Sequence, residues 1–256
     1  MLKEELFSIL TDAGLEISQH IMEADLGELS KRIGDGADGT PTLAIDRESE
    51  TIFLQHLKRN GVPYNVISEE RGFLDMGSDK NLIVDPLDGT TNAIFRIPYY
   101  SLSVALSNRN GTILEAAFVM NLYDKTVYTS VLNEGSYRNG RRITVSKGSG
   151  IYIINYGNAP DNQLRKIIRK SRKYRKFGST ALDLCLLASG SVDAVINMGG
   201  SSSPRNFDVA AGKLIVEEAG GHVVDSYGRP YTISLSPSVK KDMVAVASKS
   251  MVDDII

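Results

Sequence analysis

A chain of 256 residues is long enough for one large α/β domain or two intimately packed halves. Hydrophobic residues make up 42% and charged residues 23%, with a net charge of −2, so the overall balance asks for neither nucleic acid nor an anionic membrane as partner. One cysteine, inside the apolar run Leu184-Cys185-Leu186-Leu187, and three histidines exclude a disulfide framework, a cysteine zinc site and a histidine-rich metal centre. A reducing compartment fits that usage, no stretch reads as a membrane span, and Met1-Leu2-Lys3-Glu4-Glu5 is too acidic for a signal peptide. The expected location is the cytoplasm.

Leu2, Leu6, Ile9, Leu10, Ala13, Ile17 and Ile21 recur at helical spacing and predict a long amphipathic helix. Residues 25–41 turn polar and glycine-rich, with Gly34, Gly36, Gly39 and Pro41 around Asp35 and Asp38, and read as a loop that moves or binds something. A second amphipathic helix is expected from Asp46 to about Asn60, stopped by Gly61 and Pro63. Two strands ending in carboxylates follow: Tyr64 to Ser68 before Glu69-Glu70, and Asn81 to Val84 before Asp85-Pro86-Leu87-Asp88-Gly89-Thr90. Strands over 101–107, 112–120 and 125–131, then a short pair around Asn139-Gly140, read as antiparallel neighbours. The second half alternates: strand 151–154, helix 161–171, helix 180–189, strand 192–197, helix 208–219 and strand 222–225. That pattern predicts an α+β half over 1–146 and an α/β half over 147–256 sharing an interface.

The acids are the informative feature. Glu69-Glu70, Asp85 with Asp88, and Asp208 all stand where strands end or helices begin, the place where α/β proteins build sites. Converging carboxylates repel unless a cation neutralises them, and oxygen ligands without sulfur or imidazole point to Mg²⁺ or Mn²⁺ rather than zinc. Taken singly each has a bland alternative: a solvated Glu69-Glu70 pair, an ordinary Asp88-Gly89 turn, an Asp208 helix cap. The compact unit after Leu82-Ile83-Val84 shifts the balance, because it joins two carboxylates, a glycine allowing close approach and a hydroxyl that begins a helix.

Ser68-Glu69-Glu70, Asp85-Pro86-Leu87-Asp88-Gly89-Thr90 and Asn206-Phe207-Asp208-Val209-Ala210-Ala211-Gly212 resemble, in order and interval, the three signatures of the inositol monophosphatase family. Gly135-Ser136-Tyr137-Arg138-Asn139-Gly140, Gly178-Ser179-Thr180-Ala181 and Glu218-Ala219-Gly220-Gly221 extend the resemblance over nearly the whole chain, and it looks most like the archaeal members that act on inositol monophosphate and fructose 1,6-bisphosphate. The resemblance implies a layered αβαβα sandwich, a site for two to three Mg²⁺ ions and a homodimer. It implies metal ligation by Glu69, Asp85, the Leu87 carbonyl, Asp88 and Asp208, with Asp38 in a mobile flap. It implies catalytic roles for Asp46, Thr90 and Glu69, and substrate contacts at Asp88, Gly89, Thr90, Gly178, Ser179 and Asp208; Arg205, three residues before Asp208, is a further candidate whose equal alternative is an ion pair with a surface acid. Two departures stand out: Phe207 replaces the signature tryptophan, and Ser201 stands where inositol-specific members carry a glutamate.

Residues 165–176 hold Arg165, Lys166, Arg169, Lys170, Arg172, Lys173, Arg175 and Lys176. The plain reading is a solvated helix face. By the resemblance, Arg175 and Lys176 border the substrate pocket and suit a second phosphate. The expected activity is thus Mg²⁺-dependent hydrolysis of small phosphorylated sugars or polyols. The alternatives are a nucleotide-directed phosphatase for adenosine 3′,5′-bisphosphate or NADP, an aspartyl-phosphate phosphatase (the Asp85–Asp88 spacing is one residue too long for its Asp-x-Asp loop), and a non-catalytic RNA-binding protein using the basic segment. The last is disfavoured by the acidic remainder of the chain.

Overall fold

The computed structural model describes every residue except Asp38, Lys147, Asn158, Ala159 and Asp161, together with the side chain of Ser201. The chain opens with α1 (Lys3–Glu23), whose Leu6, Leu10, Ala13, Ile17 and Ile21 are buried as their spacing predicts. A single turn, α2 (Leu26–Leu29), is capped by Asp25, which accepts the Gly27 and Glu28 amides at 2.8 and 3.1 Å. A hairpin of β1 (Arg32–Asp35) and β2 (Pro41–Leu43) then leads into α3 (Ala44–Arg59). The segment read as a loop thus carries a helical turn and two strands. Every residue of β1 is exposed, so it has no apolar alternation to betray it.

The larger sheet comprises β3 (Asn65–Ser68), β4 (Gly72–Leu74), β5 (Lys80–Asp88), β6 (Ser101–Asn108), β7 (Leu114–Asn121), β8 (Val127–Val131), β9 (Gly135–Arg138) and β10 (Arg141–Ile143). Its order is β10-β9-β8-β7-β6-β5-β3-β4, with only β3–β5 parallel, and α4 (Thr90–Ile94) follows β5. The second half runs β11 (Ile151–Tyr156), α5 (Asn162–Lys170), β12 (Lys173–Arg175), α6 (Thr180–Ala188), β13 (Ala194–Met198), α7 (Asn206–Glu218), β14 (His222–Asp225), β15 (Met243–Val246) and α8 (Lys249–Ile255). Its sheet has the order β12-β11-β13-β15-β14, with β11 parallel to both neighbours.

Side-chain alternation along the strands sorts these elements into layers. Leu82, Val84, Val104 and Phe118 face α1 and α3, whereas Ile83, Ala105, Ala117 and Val119 face α6 and α7. Across those two helices stand Ile153, Val195 and Ala245 of the smaller sheet. Its opposite face, with Ile154, Ile196 and Val244, packs on Leu164 and Ile167 of α5 and Val252 and Ile255 of α8. The result is the expected helix–sheet–helix–sheet–helix sandwich. The central helices lie so close that a Cβ on Gly212 of α7 would stand 2.7 Å from the Leu184 Cβ of α6. The only cysteine is buried in this layer. Among the described residues, no helix is long and apolar enough to cross a membrane.

Candidate active site

The site grows from one irregularity in β5. Residues 85 and 88 of a regular strand would point to opposite faces, because side chains alternate with period two. Here Asp85 pairs with Ser103 and Asp88 with Ser101, so three steps on β5 oppose two on β6. This bulge at Pro86-Leu87 brings both carboxylates to the face that looks toward the central helices, while Leu87 packs into the α1–α3 core. Pro86 suits a bulge because it has no amide to offer a ladder. Asp85 Oδ1 accepts the Leu87 amide at 2.9 Å and fixes the distortion.

Gly89 turns the chain out of the strand at φ +96°, and a Cβ there would meet the backbone of Tyr99, Gly178 and Tyr100 at 3.1–3.3 Å. Only glycine combines that conformation with that packing. Thr90 follows, and its hydroxyl donates to Asp46 Oδ1 at 2.7 Å and lies 3.3 Å from the Leu87 carbonyl. Asp46 is the third residue of α3, and its other oxygen accepts the Leu43 amide at 3.2 Å. Asp208 repeats this arrangement at the start of α7, where its Oδ2 accepts the Arg205 amide at 2.7 Å. Each aspartate uses one oxygen to close its own helix start. Asp46 spends the other on Thr90.

Burial, then the charges of Glu69, Asp88 and Asp208, hold the Asp85 carboxyl well above the usual carboxylate range. Four acids from three separate segments, the end of β3, β5 and the start of α7, therefore act on one another at a single place. Burial raises Asp88 to about 6 despite hydrogen bonds to its Oδ2 from Ser179 Oγ and the Ala181 amide, both at 2.7 Å. Burial likewise raises Asp46 to about 6 against the opposing bonds from Thr90 and Leu43. Among the described residues no lysine or arginine forms an ion pair with Asp85 or Asp88. The carboxylates are converged but not closed, since no three His, Cys, Asp or Glu side chains among the described residues form a ready cage. An all-oxygen donor set whose members raise one another's pKa is the kind that suits a hard divalent cation.

Of the Glu69-Glu70 pair, only Glu69 belongs to this cluster. Glu70 turns away to accept the Thr42 hydroxyl, and its carbonyl accepts the Ala37 amide at 3.1 Å, tying the β1–β2 hairpin to the end of β3. Asp38 lies outside the described residues. Gly178 and Ser179 border the site differently: Gly178 presses its carbonyl on Gly89, while Ser179 is wholly buried with its hydroxyl on Asp88. Ser179 holds a site carboxylate rather than facing solvent.

The basic segment is split by the fold. Arg165, Lys166, Arg169 and Lys170 lie exposed on α5. Edge strand β12, which sequence reading missed, pairs Lys173 with Ile151 and Arg175 with Ile153, so these cations share the face turned toward the central helices. Arg175 bonds its neighbour's carbonyl at 2.9 Å, and Lys176 donates to the Tyr156 carbonyl at 3.0 Å over that residue's ring. Arg205 sits at the start of α7 with its guanidinium 6.0 Å from the Phe207 ring centre. Two further residues of the site escaped sequence reasoning. Asn92 donates to the carbonyls of Tyr99 and Phe177, both at 2.7 Å, and Asp183 is a buried acid in the first turn of α6. An acid inside the apolar run of α6 was the available signal for the second.

The profile of the inositol monophosphatase family matches residues 2–253. The chain belongs to that family. With it the chain joins the phosphoric monoester hydrolases. It is similar to the fructose-1,6-bisphosphatase/inositol-1-monophosphatase of Methanothermobacter thermautotrophicus, at 34% identity over 94% of this chain and 90% of that one. Against the protein of the same description from Archaeoglobus fulgidus, identity is 38% over 83% and 81% of the two chains. Among solved structures, a Pyrococcus horikoshii protein described as similar to inositol-1 monophosphatase superposes with a TM-score of 0.85 at 30% identity, covering 99% of this chain and 96% of that one.

Proposed function

We propose that this chain hydrolyses phosphate monoesters of small sugars or polyols, with fructose 1,6-bisphosphate and inositol 1-phosphate as the leading substrates, by direct attack of water on phosphorus. The observation that carries the reading is the convergence of Glu69, Asp88 and Asp208 on Asp85 beside the Thr90–Asp46 pair. Glu69, Asp85, the Leu87 carbonyl, Asp88 and Asp208 would hold two to three Mg²⁺ ions, with Mn²⁺ as a substitute, and ions bound there lower the pKa of water and offset phosphate charge.

Asp46 and Thr90 do the proton work. A hydroxyl alone is a weak base, but Thr90 gives its hydrogen to Asp46 and so presents its lone pairs to an incoming water. With its pKa near 6, Asp46 is largely ionised at pH 7 and holds Thr90 in that orientation. Water attacks phosphorus as the ester C–O–P bond breaks on the phosphorus side, releasing inorganic phosphate and an alcohol; no residue is phosphorylated. Arg175 and Lys176, with Arg205 at the start of α7, supply cations for a second phosphate, which favours a bisphosphate. The same reading expects a cytosolic homodimer whose halves, 1–146 and 147–256, each contribute to the site.

The test is phosphate release in Mg²⁺ from fructose 1,6-bisphosphate, inositol 1-phosphate, adenosine 3′,5′-bisphosphate and NADP. Highest kcat/KM on either of the first two supports the proposal. Preference for either nucleotide replaces it with the nucleotide reading, and no release from folded protein rejects both.

A further inference from the structure

A buried polar bracket surrounds the first turn of α6, behind the face that holds Asp88. Asp183, fully buried, accepts the Tyr99 hydroxyl on Oδ1 at 2.8 Å and the Asn155 amide on Oδ2 at 2.9 Å. The same Asn155 amide reaches Asn197 Oδ1 at 3.1 Å, and the Asn197 amide returns to Thr180 Oγ1 at 2.9 Å. Asn155 and Asn197 are register partners on the parallel strands β11 and β13. Two asparagines at the ends of neighbouring strands thus grip both Thr180 and Asp183, three residues apart on one helical turn.

A polar cluster in this position is costly to maintain. Each buried polar group must find a partner or destabilise the fold, and a buried carboxylate more so. An apolar helix packed between two sheets needs none of it. What the gripped turn carries is the Ser179 hydroxyl and the Ala181 amide, both on Asp88 Oδ2. Tyr99 ties the bracket to the other side of the site: its carbonyl accepts from Asn92 two residues after Thr90, and its ring lies 5.0 Å from that of Phe177. The bracket therefore spans the larger sheet's site loop, the helix that cradles Asp88 and the smaller sheet.

We infer that Asp183 is a positioning residue: through Tyr99 and Asn155 it sets the first turn of α6, and through that turn the orientation of the Asp88 carboxylate that receives the divalent ion. This rests on the proposed metal-dependent reading of the site. Groups behind a ligand that orient it are commonly worth 10–100-fold in metal affinity. Asp183 acts one step further back, so an effect of roughly 3- to 10-fold is expected.

The experiment compares wild type, Asp183→Ala, Tyr99→Phe and Asp193→Asn by thermal melting across a Mg²⁺ titration, without substrate. Tyr99→Phe keeps the ring contact and removes only the hydroxyl, so it serves if Asp183→Ala does not fold. Asp193 holds residues 148–150 outside the site, so its variant controls for general destabilisation. The inference expects the Mg²⁺ midpoint to rise several-fold in Tyr99→Phe and Asp183→Ala and to stay at the wild-type value in Asp193→Asn. A wild-type midpoint in a folded Tyr99→Phe or Asp183→Ala protein overturns it, as does an equal rise in Asp193→Asn. A wild-type protein whose melting ignores Mg²⁺ refutes the metal site itself, and this inference with it.

Discussion

The carboxylate cluster around Asp85 and the basic stripe over 165–176 are both dense runs of one charge, yet the fold treats them oppositely. Asp85, Asp88 and Asp208 are each held by backbone amides or hydroxyls, and the carboxyls of Asp85 and Asp88 are raised by burial. The cations all lie exposed on α5, β12 and the turns beside them. Residues outside the stripe carry 21 lysines and arginines (29 − 8) against all 31 acids, a net −10, so the stripe's eight cations nearly balance the whole remainder. Charge that has been desolvated and fixed can do chemistry at a defined point, whereas solvated charge is screened within about 10 Å and acts mainly at long range. Substitutions should therefore be severe in the first region and mild in the second, apart from Arg175 and Lys176, which the proposed function places on the substrate.

The sharpest break comes at Gly89. Gly89→Ala forces a side chain into a left-handed conformation and against the backbone of two segments, Tyr99-Tyr100 and Gly178. Misplacing the Asp88–Thr90 unit should lower kcat/KM by about 100-fold or more, measured by phosphate release at a temperature where the variant remains folded by circular dichroism. Thr90→Ala comes next: removing the hydroxyl between Asp46 and the Leu87 carbonyl should cost roughly 100-fold in kcat with little change in KM, and Thr90→Ser should restore most of it.

Titration sharpens the contrast without mutation. Burial raises Asp46 to about 6, and burial raises Asp183 to about 7 against its bonds from Asn155 and Tyr99. Folded protein binds these protons more tightly than unfolded chain, whose aspartates titrate near 3.8. Their contribution to stability is complete below about pH 4 and is lost as pH rises through 6–7. Melting in EDTA should therefore show falling stability from pH 5 to 8, and added Mg²⁺ should recover more at pH 8 than at pH 5. Asp193 runs the other way. Burial alone would raise it, but the Ser149 hydroxyl and the amides of residues 148–150 outweigh that and hold it below its usual value. Its contribution is present above pH 4 and lost below. Asp193→Asn should cost about 1–3 kcal/mol of stability in urea unfolding while leaving kcat unchanged.

The smallest effects belong to the stripe. Lys166→Glu and Arg169→Glu on α5 should shift stability by no more than about 0.5 kcal/mol and leave kcat intact. A large loss in either would show that the stripe is not merely solvated.

How much of this was legible beforehand follows the same division. The amphipathic α1 and α3 were readable because burial imposes periodicity on the residues themselves, and most strands of the larger sheet because apolar runs are bounded by turn residues; the three-residue β4 escaped. The exposed β1 and β12, and β15 with its four consecutive buried residues Met243 to Val246, show no alternation and escaped. At the site, Asp85, Asp88 and Asp208 stood out because acids beside apolar segments need a reason. The bulge that aligns Asp85 with Asp88 is a matter of strand register and is invisible in one sequence. Asp183 was visible as an acid in an apolar helix, but its partners come from residues 28 and 84 positions away, a separation no local pattern spans.

The most direct test is Mg²⁺-dependent phosphate release from fructose 1,6-bisphosphate by wild type and by Asp88→Asn, which alters one carboxylate oxygen and little else. Turnover that requires Mg²⁺ and falls by at least about 100-fold in the folded variant is the predicted result. Equal turnover by the two proteins, or turnover indifferent to EDTA, would contradict the claim that these converged carboxylates hold the ions that drive the reaction.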